Sequence, residues 1–244
     1  LRKYFYFPGF SAKTGGLLFE PAHIQALQQF QQDTLAQYNF LARLGVPVRG
    51  GAKRVSLFCY PDAPVLAWLQ HWQSSAKPLQ IFVAQGVASR QLQDFTGVEL
   101  QAGMRWQAGE LSIECLPFID QVDYDYLLAC CELNLVRGED SFVRAQLLGL
   151  PMLWHIYPQE EQAHEVKLRA FLNVYLAEAR EIKAAQALER LFCAWNKLQK
   201  LDLGDLDYLL DHPETRAIAQ VWQRKILQNG DLASRLLQFI EEIG

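Results

Sequence analysis

Between residues 54 and 157 the chain alternates short apolar runs with stretches of helical spacing, and this alternation restricts its fold more than any other feature. RVSLFCY (54–60), LQIFVAQG (79–86), ELNLVR (132–137) and PMLWHIY (151–157) read as buried strands. VELQAG (98–103), MRWQAG (104–109) and LSIECLPF (111–118) read as extended. Among them lie helical patterns. PVLAWLQHWQ (64–73) sets Val65, Leu66, Leu69 and Trp72 on one face; a short helix fits 87–95, and YDYLLACC (124–131) and DSFVRAQLLG (140–149) follow. Apolar strands separated by helices predict an α/β fold, a parallel sheet covered on both faces. In such sheets ligands bind beyond the carboxyl ends of the strands, so the loops after the strands are where chemistry is sought.

The pattern changes after Pro158. Only helices are predicted from there, over 160–178, 181–200, 205–211, 213–229 and 231–242, with Asp231 as N-cap of the last and Gly230 closing the one before. The first fifty residues differ again. YFYFPGF and TGGLLFE flank Lys13, a Gln-rich helix is predicted over 21–44, and VPVRGGAKR (46–54) reads as a linker. Half of the 244 residues are hydrophobic, enough for a packed core in one large domain or two small ones. The net charge of −4 gives no support to broad nucleic-acid binding. No apolar run approaches the roughly 18 residues that a membrane span needs. The five cysteines, at 59, 115, 130, 131 and 193, show no C-x-x-C spacing and read as reduced core residues of a cytoplasmic protein.

Two loops carry candidate chemistry. In VRGEDSF, a strand runs through Arg137 and Gly138 into a helix that opens at Glu139, Asp140 and Ser141. The free N–H groups of a helix's first turn welcome anions, and diphosphates use such sites. Gly138 lets backbone approach closely, and Ser141 offers a hydroxyl. Carboxylates repel phosphate, so Glu139 and Asp140 would bind it through backbone N–H while their side chains take hydroxyl groups. The competing reading makes Asp140 the N-cap of its own helix and Arg137 a packing residue; spacing alone leaves the two level. In PFIDQVDYDYLL (117–128), the Gln121 amide can read the edge of a flat heterocycle, with Phe118 and Tyr124 beside it. Phe118 and Tyr124, like Phe58 and Tyr60 after the first strand, serve equally well as packing aromatics. His155 reads as a hydrogen-bonded core histidine, and His23, His71, His164 and His212 lack metal-ligand spacing. Neither a Walker sequence nor G-x-G-x-x-G nor G-x-S-x-G is present.

RGEDSFVRAQLLGLPMLWHIYPQEE, with FPGF-x-x-x-TGGLL near the start and PFIDQ-x-x-YD-x-LL between, resembles the bacterial protein-arginine rhamnosyltransferases that modify translation elongation factor P. The resemblance covers essentially the whole chain. It implies a GT-B fold with a Rossmann-like nucleotide-sugar-binding domain and a helical C-terminal tail. It also implies inverting transfer of L-rhamnose from TDP-β-L-rhamnose to an arginine of the factor, without a metal ion or other cofactor. By the same resemblance, Phe118 and Gln121 would hold the thymine with Phe58 and Tyr60 beside it. Arg137, Glu139, Asp140 and Ser141 would face the diphosphate and rhamnose, and Tyr157 would contact the diphosphate. Glu139 is the acid expected to orient and stabilise the donor. The family's acceptor-binding domain carries a D-N-F-G-D type motif that holds the general-base aspartate, and this sequence contains no such motif. Residues 1–44 are therefore expected to be a remnant of that domain, 45–54 a linker, 55–204 the donor domain and 205–244 helices crossing back. The expected partners are elongation factor P and the sugar nucleotide, with no nucleic acid or membrane. A different GT-B enzyme, such as an epimerase, and a non-catalytic protein-binding module are the competing classes.

Overall fold

The computed structural model describes residues 3–75, 77–159 and 163–243. An N-terminal arm leads into two helices, α1 (Pro21–Gln32) and α2 (Thr34–Arg43), where one long helix was expected. The break falls at Asp33, which leaves the helical region (φ −102°, ψ 93°) and accepts from the Ala36 N–H, capping α2. β1 (Lys53–Leu57), α3 (Val65–Ser74), β2 (Leu79–Ala84), α4 (Ser89–Thr96), β3 (Arg105–Ala108) and β4 (Leu111–Leu116) follow, then α5 (Gln121–Ala129), β5 (Leu133–Arg137), α6 (Asp140–Leu147) and β6 (Met152–His155). The strands lie in the order β3-β4-β2-β1-β5-β6. Neighbours are parallel except for β3, which runs antiparallel to β4 at the edge. Residues 98–103 form a bend and a turn rather than a strand. On α3 it is Trp68, not Leu66, that joins Val65, Leu69 and Trp72 in the core.

The chain steps outward from β1 through β2 and β4 on one side, and through β5 and β6 on the other. The strand order therefore reverses between β1 and β5, and ligands in such sheets bind at that crevice. All five cysteines are free and buried. The 46–54 stretch, expected as a linker, is bonded to the sheet. Gln80 Nε2 donates to Pro47 O at 2.8 Å, Arg49 Nη1 donates to Glu110 O at 2.8 Å, and Lys53 already belongs to β1.

Beyond β6 the described tail is helical: α7 (Ala163–Tyr175), α8 (Lys183–Trp195), α9 (Leu203–Asp211), α10 (Pro213–Gln228) and α11 (Leu232–Ile243). The expected first turn at 160–162 lies outside the described residues. Asp231 Oδ1 accepts from the Ser234 N–H at 2.9 Å, as an N-cap should, and Gly230 takes φ +78°. α11 meets the N-terminal arm: Leu232 N donates to Leu17 O at 2.9 Å, and Tyr4 and Tyr6 pack on Phe239. The alternate residues Phe5 and Phe7 remain exposed, as do Leu237 and Ile240 of α11.

α10 anchors the tail to α6. Trp222 Nε1 donates to Gln146 Oε1 at 2.8 Å, and Gln223 Nε2 donates to Leu147 O at 2.6 Å. Gln31 of α1 donates to Leu148 O at 3.0 Å. The carbonyls at the end of a helix have no partner within it. Here two side chains from distant elements satisfy them and fix the helix whose other end faces the crevice.

Candidate active site

A cleft of about 930 Å³ opens beyond the carboxyl ends of β1, β2, β4 and β5. Phe58, Tyr60, Phe118, Gln121, Arg137, Glu139, Asp140 and Ser141 line it. The structure thus brings together eight of the nine residues expected from the sequence. Tyr157, the ninth, lies outside the lining and packs edge-on against Tyr60, with ring centroids 5.4 Å apart. Gln85, Gly86 and Val87 after β2 also line the cleft, and sequence reasoning did not single them out.

Arg137 ends β5 and turns back over β1. Its guanidinium carbon sits 4.2 Å from the Phe58 ring centroid and 5.0 Å from that of Tyr60. Its Nη1 donates to Cys59 O at 3.1 Å. Cation–π contacts of this kind contribute about 0.5–2 kcal/mol each, depending on desolvation. The two expected roles of Arg137 therefore coincide: it packs, and the packing presents its charge to the cleft. Burial pushes the neighbouring Cys59 thiol up to about 12 although Arg137 pulls it down, so Cys59 is no nucleophile near neutral pH.

Behind this loop stands His155. It is buried, and its Nδ1 accepts from the Tyr60 N–H at 3.2 Å, which leaves its proton on Nε2. Burial lowers its pKa to about 4, against the opposing pull of Asp62. A neutral imidazole thus props the 58–60 loop, in keeping with the core histidine expected from the sequence.

At the mouth of α6 the backbone needs a glycine. Gly138 takes φ +64°, and a Cβ there would lie 3.3 Å from the Tyr60 hydroxyl. Its carbonyl accepts from Trp154 Nε1 at 2.7 Å. The Ser141 hydroxyl accepts from the Arg137 N–H at 3.1 Å and donates to the Arg137 carbonyl. Its proton is already committed, so this hydroxyl shapes the turn. Glu139 occupies the N-cap position and makes no side-chain capping bond, so the competing reading of Asp140 as the cap of its own helix does not hold. Asp140 instead accepts from Arg144 Nε at 2.8 Å and from Gln121 Nε2 at 3.3 Å. The first turn of α6 is left without a side-chain lid, beside Arg137, as an anion would require.

The opposite wall comes from the loop before α5. Asp120 caps α5 by accepting from the Asp123 N–H at 2.8 Å. That cap presents Phe118, 96% exposed, and Gln121 at the cleft edge. Tyr124 lies one turn on and edge-on to Phe58, and burial raises its phenol pKa. An aromatic surface, an amide, a guanidinium and an uncapped helix start can together hold a base and a diphosphate. Among the described residues, no group of three or more His, Cys, Asp or Glu side chains is placed to hold a metal ion. Among them, too, no helix is long and apolar enough to cross a membrane.

A protein-arginine rhamnosyltransferase of Pseudomonas aeruginosa is 41% identical over 240 residues, spanning 98% of this chain and 64% of its own length. The namesake from Shewanella oneidensis is 33% identical over 262 residues, covering 99% of this chain and 63% of its own. The chain thus spans somewhat less than two thirds of these relatives. A solved structure described as the structural basis for EarP-mediated arginine glycosylation of translation elongation factor EF-P superposes with a TM-score of 0.86 at 37% identity. That superposition covers 98% of this chain and 76% of the other, and the shared fold is an α/β fold of GT-B type with a helical tail. The profile described as Elongation-Factor P (EF-P) rhamnosyltransferase EarP matches residues 1–241, and the chain belongs to that family.

Proposed function

We propose that this chain is the donor-binding part of a protein-arginine rhamnosyltransferase that moves L-rhamnose from TDP-β-L-rhamnose to an arginine of elongation factor P. One observation supports this reading most: in a chain of the EarP family, the crevice at the strand reversal joins Arg137 to the open first turn of α6. The thymine would lie on Phe118 with its edge toward Gln121, and Phe58 and Tyr60 would close that side. The diphosphate would meet the N–H groups of residues 139–141, the Arg137 guanidinium and the Tyr157 hydroxyl.

The chemistry follows from charge. An arginine guanidinium is protonated and a poor nucleophile, so it must give up a proton to a carboxylate base as its nitrogen attacks the anomeric carbon. The nitrogen–carbon bond forms as the bond to the diphosphate oxygen breaks, inverting the anomeric centre. Negative charge then grows on the departing TDP. Pre-placed donors stabilise such charge without reorganising, and α6 with Arg137 would do so here with no metal ion. Glu139, exposed at the cleft mouth, would orient the donor through its sugar hydroxyls.

Melting the protein with TDP, UDP and GDP tests the reading. TDP should raise the melting temperature more than UDP or GDP does. A shift with none of them would favour a protein-binding module, and a preference for UDP or GDP would favour another sugar-nucleotide enzyme.

A further inference from the structure

The two walls of the cleft start on separate helices, and a single guanidinium ties them. Arg144 lines no part of the cleft. It sits one turn into α6 from Asp140, and Asp125 sits one turn into α5 from Gln121. Residues four apart share a helix face, so α6 presents Asp140 and Arg144 to the face of α5 that carries Gln121 and Asp125. The two pairs interlock. Arg144 Nη1 donates to both Asp125 oxygens, at 2.8 and 2.7 Å, and its Nε donates to Asp140 Oδ2 at 2.8 Å. Gln121 Nε2 closes the circuit on Asp140 Oδ2 at 3.3 Å. The Asp125 side chain is 7% exposed, and its second oxygen also accepts from His23 Nε2 of α1 at 2.8 Å. A buried carboxylate held by two donors cannot move without losing charge-assisted bonds.

We infer that Arg144, anchored on Asp125, is a positioning residue that sets the spacing between the base-side loop at Phe118–Gln121 and the anion-side turn at residues 138–141. Asp140, which touches both it and the cleft, is its substrate-facing partner, and Gln121 joins through its bond to Asp140. This inference rests on the donor-site reading above for the identity of the ligand. The tie itself rests only on the bonds named. It also explains why Asp140 does not cap its own helix, since its carboxylate is turned toward Arg144.

Arg144→Gln removes the charge and the double contact, and Arg144→Lys keeps the charge but loses the planar fork that spans Asp125 and Asp140. The first readout is amide hydrogen exchange of the nucleotide-free protein, and the second is TDP affinity by calorimetry. Exchange should quicken at 118–122 and 138–141 in both variants while β1, β2 and β5 stay protected. TDP affinity should fall by about tenfold in Arg144→Gln, or about 1.4 kcal/mol, and by less in Arg144→Lys. If Arg144→Gln does not fold, Arg144→Lys carries the comparison. Unchanged exchange in both segments would overturn the tie. Faster exchange with undiminished TDP affinity would overturn its positioning role. Faster exchange in a protein whose wild type ignores TDP would support the tie and count against the donor assignment alone.

Discussion

Arg137→Ala is expected to weaken TDP binding by about 100-fold, equivalent to roughly 2.7 kcal/mol. Two losses add up. A charge-assisted bond to a phosphate oxygen contributes about 1.5–3 kcal/mol. The guanidinium also fills the space between Phe58 and Tyr60 and donates to Cys59 O at 3.1 Å, so its removal lets the 58–60 loop relax. Arg137→Lys should fall in between, because an ammonium carries the charge but neither stacks nor spans the same bonds. Calorimetry with TDP measures both. A loss below about twofold for Arg137→Ala would reduce Arg137 to a packing residue, since one charge-assisted bond alone exceeds that.

The second large effect concerns the tail. Trp222→Ala should destabilise the protein by about 3–5 kcal/mol, the usual cost of emptying a tryptophan site in a core. Trp222 is buried among Phe10, Phe171 and Tyr175, with ring centroids 5.8–6.0 Å away. Its loss also leaves the buried Gln146 oxygen without its donor. For a chain of this size the melting temperature should drop by about 6–20 °C. Trp222→Phe should retain much of the packing but lose the Gln146 bond. Thermal unfolding followed by circular dichroism gives the answer, and a drop of only a degree or two in Trp222→Ala would show that α10 rests loosely on α6.

Much of this architecture can be read in the sequence, because buried parallel strands are apolar on both faces and stand out against their surroundings. The 54–60, 79–86, 132–137 and 151–157 runs all became strands; β1, β2 and β6 end two or three residues before their runs do, and β5 ends with its run at Arg137. The break at Asp33 escaped notice because neither glycine nor proline marks it. Only the Asp33–Ala36 cap does, and an aspartate within a Gln-rich helix attracts no attention. Trp68 and Leu66 differ by two positions on a helix apolar over much of its surface, so periodicity could not choose between them.

The site divides in the same way. Arg137, Gly138 and the start of α6 are neighbours in sequence, so their chemistry was visible at once, and the family resemblance linked them to Phe118 and Gln121. The Asp140–Arg144 pair was also open to view as residues four apart on one helix. Its anchor Asp125 lies nineteen residues before Arg144 and meets it only because β5 intervenes and turns α6 back beside α5. The prop from His155 to Tyr60 spans ninety-five residues and depends on β1, β5 and β6 lying side by side in the sheet, which no local pattern encodes.

The most direct test is a crystal structure of the protein with TDP. The account predicts diphosphate density against the N–H groups of residues 139–141 and the Arg137 guanidinium, with the thymine between Phe118 and Gln121. An empty crevice, with the nucleotide lodged instead in the 820 Å³ groove beside Phe10, Phe171 and Trp222, would contradict it.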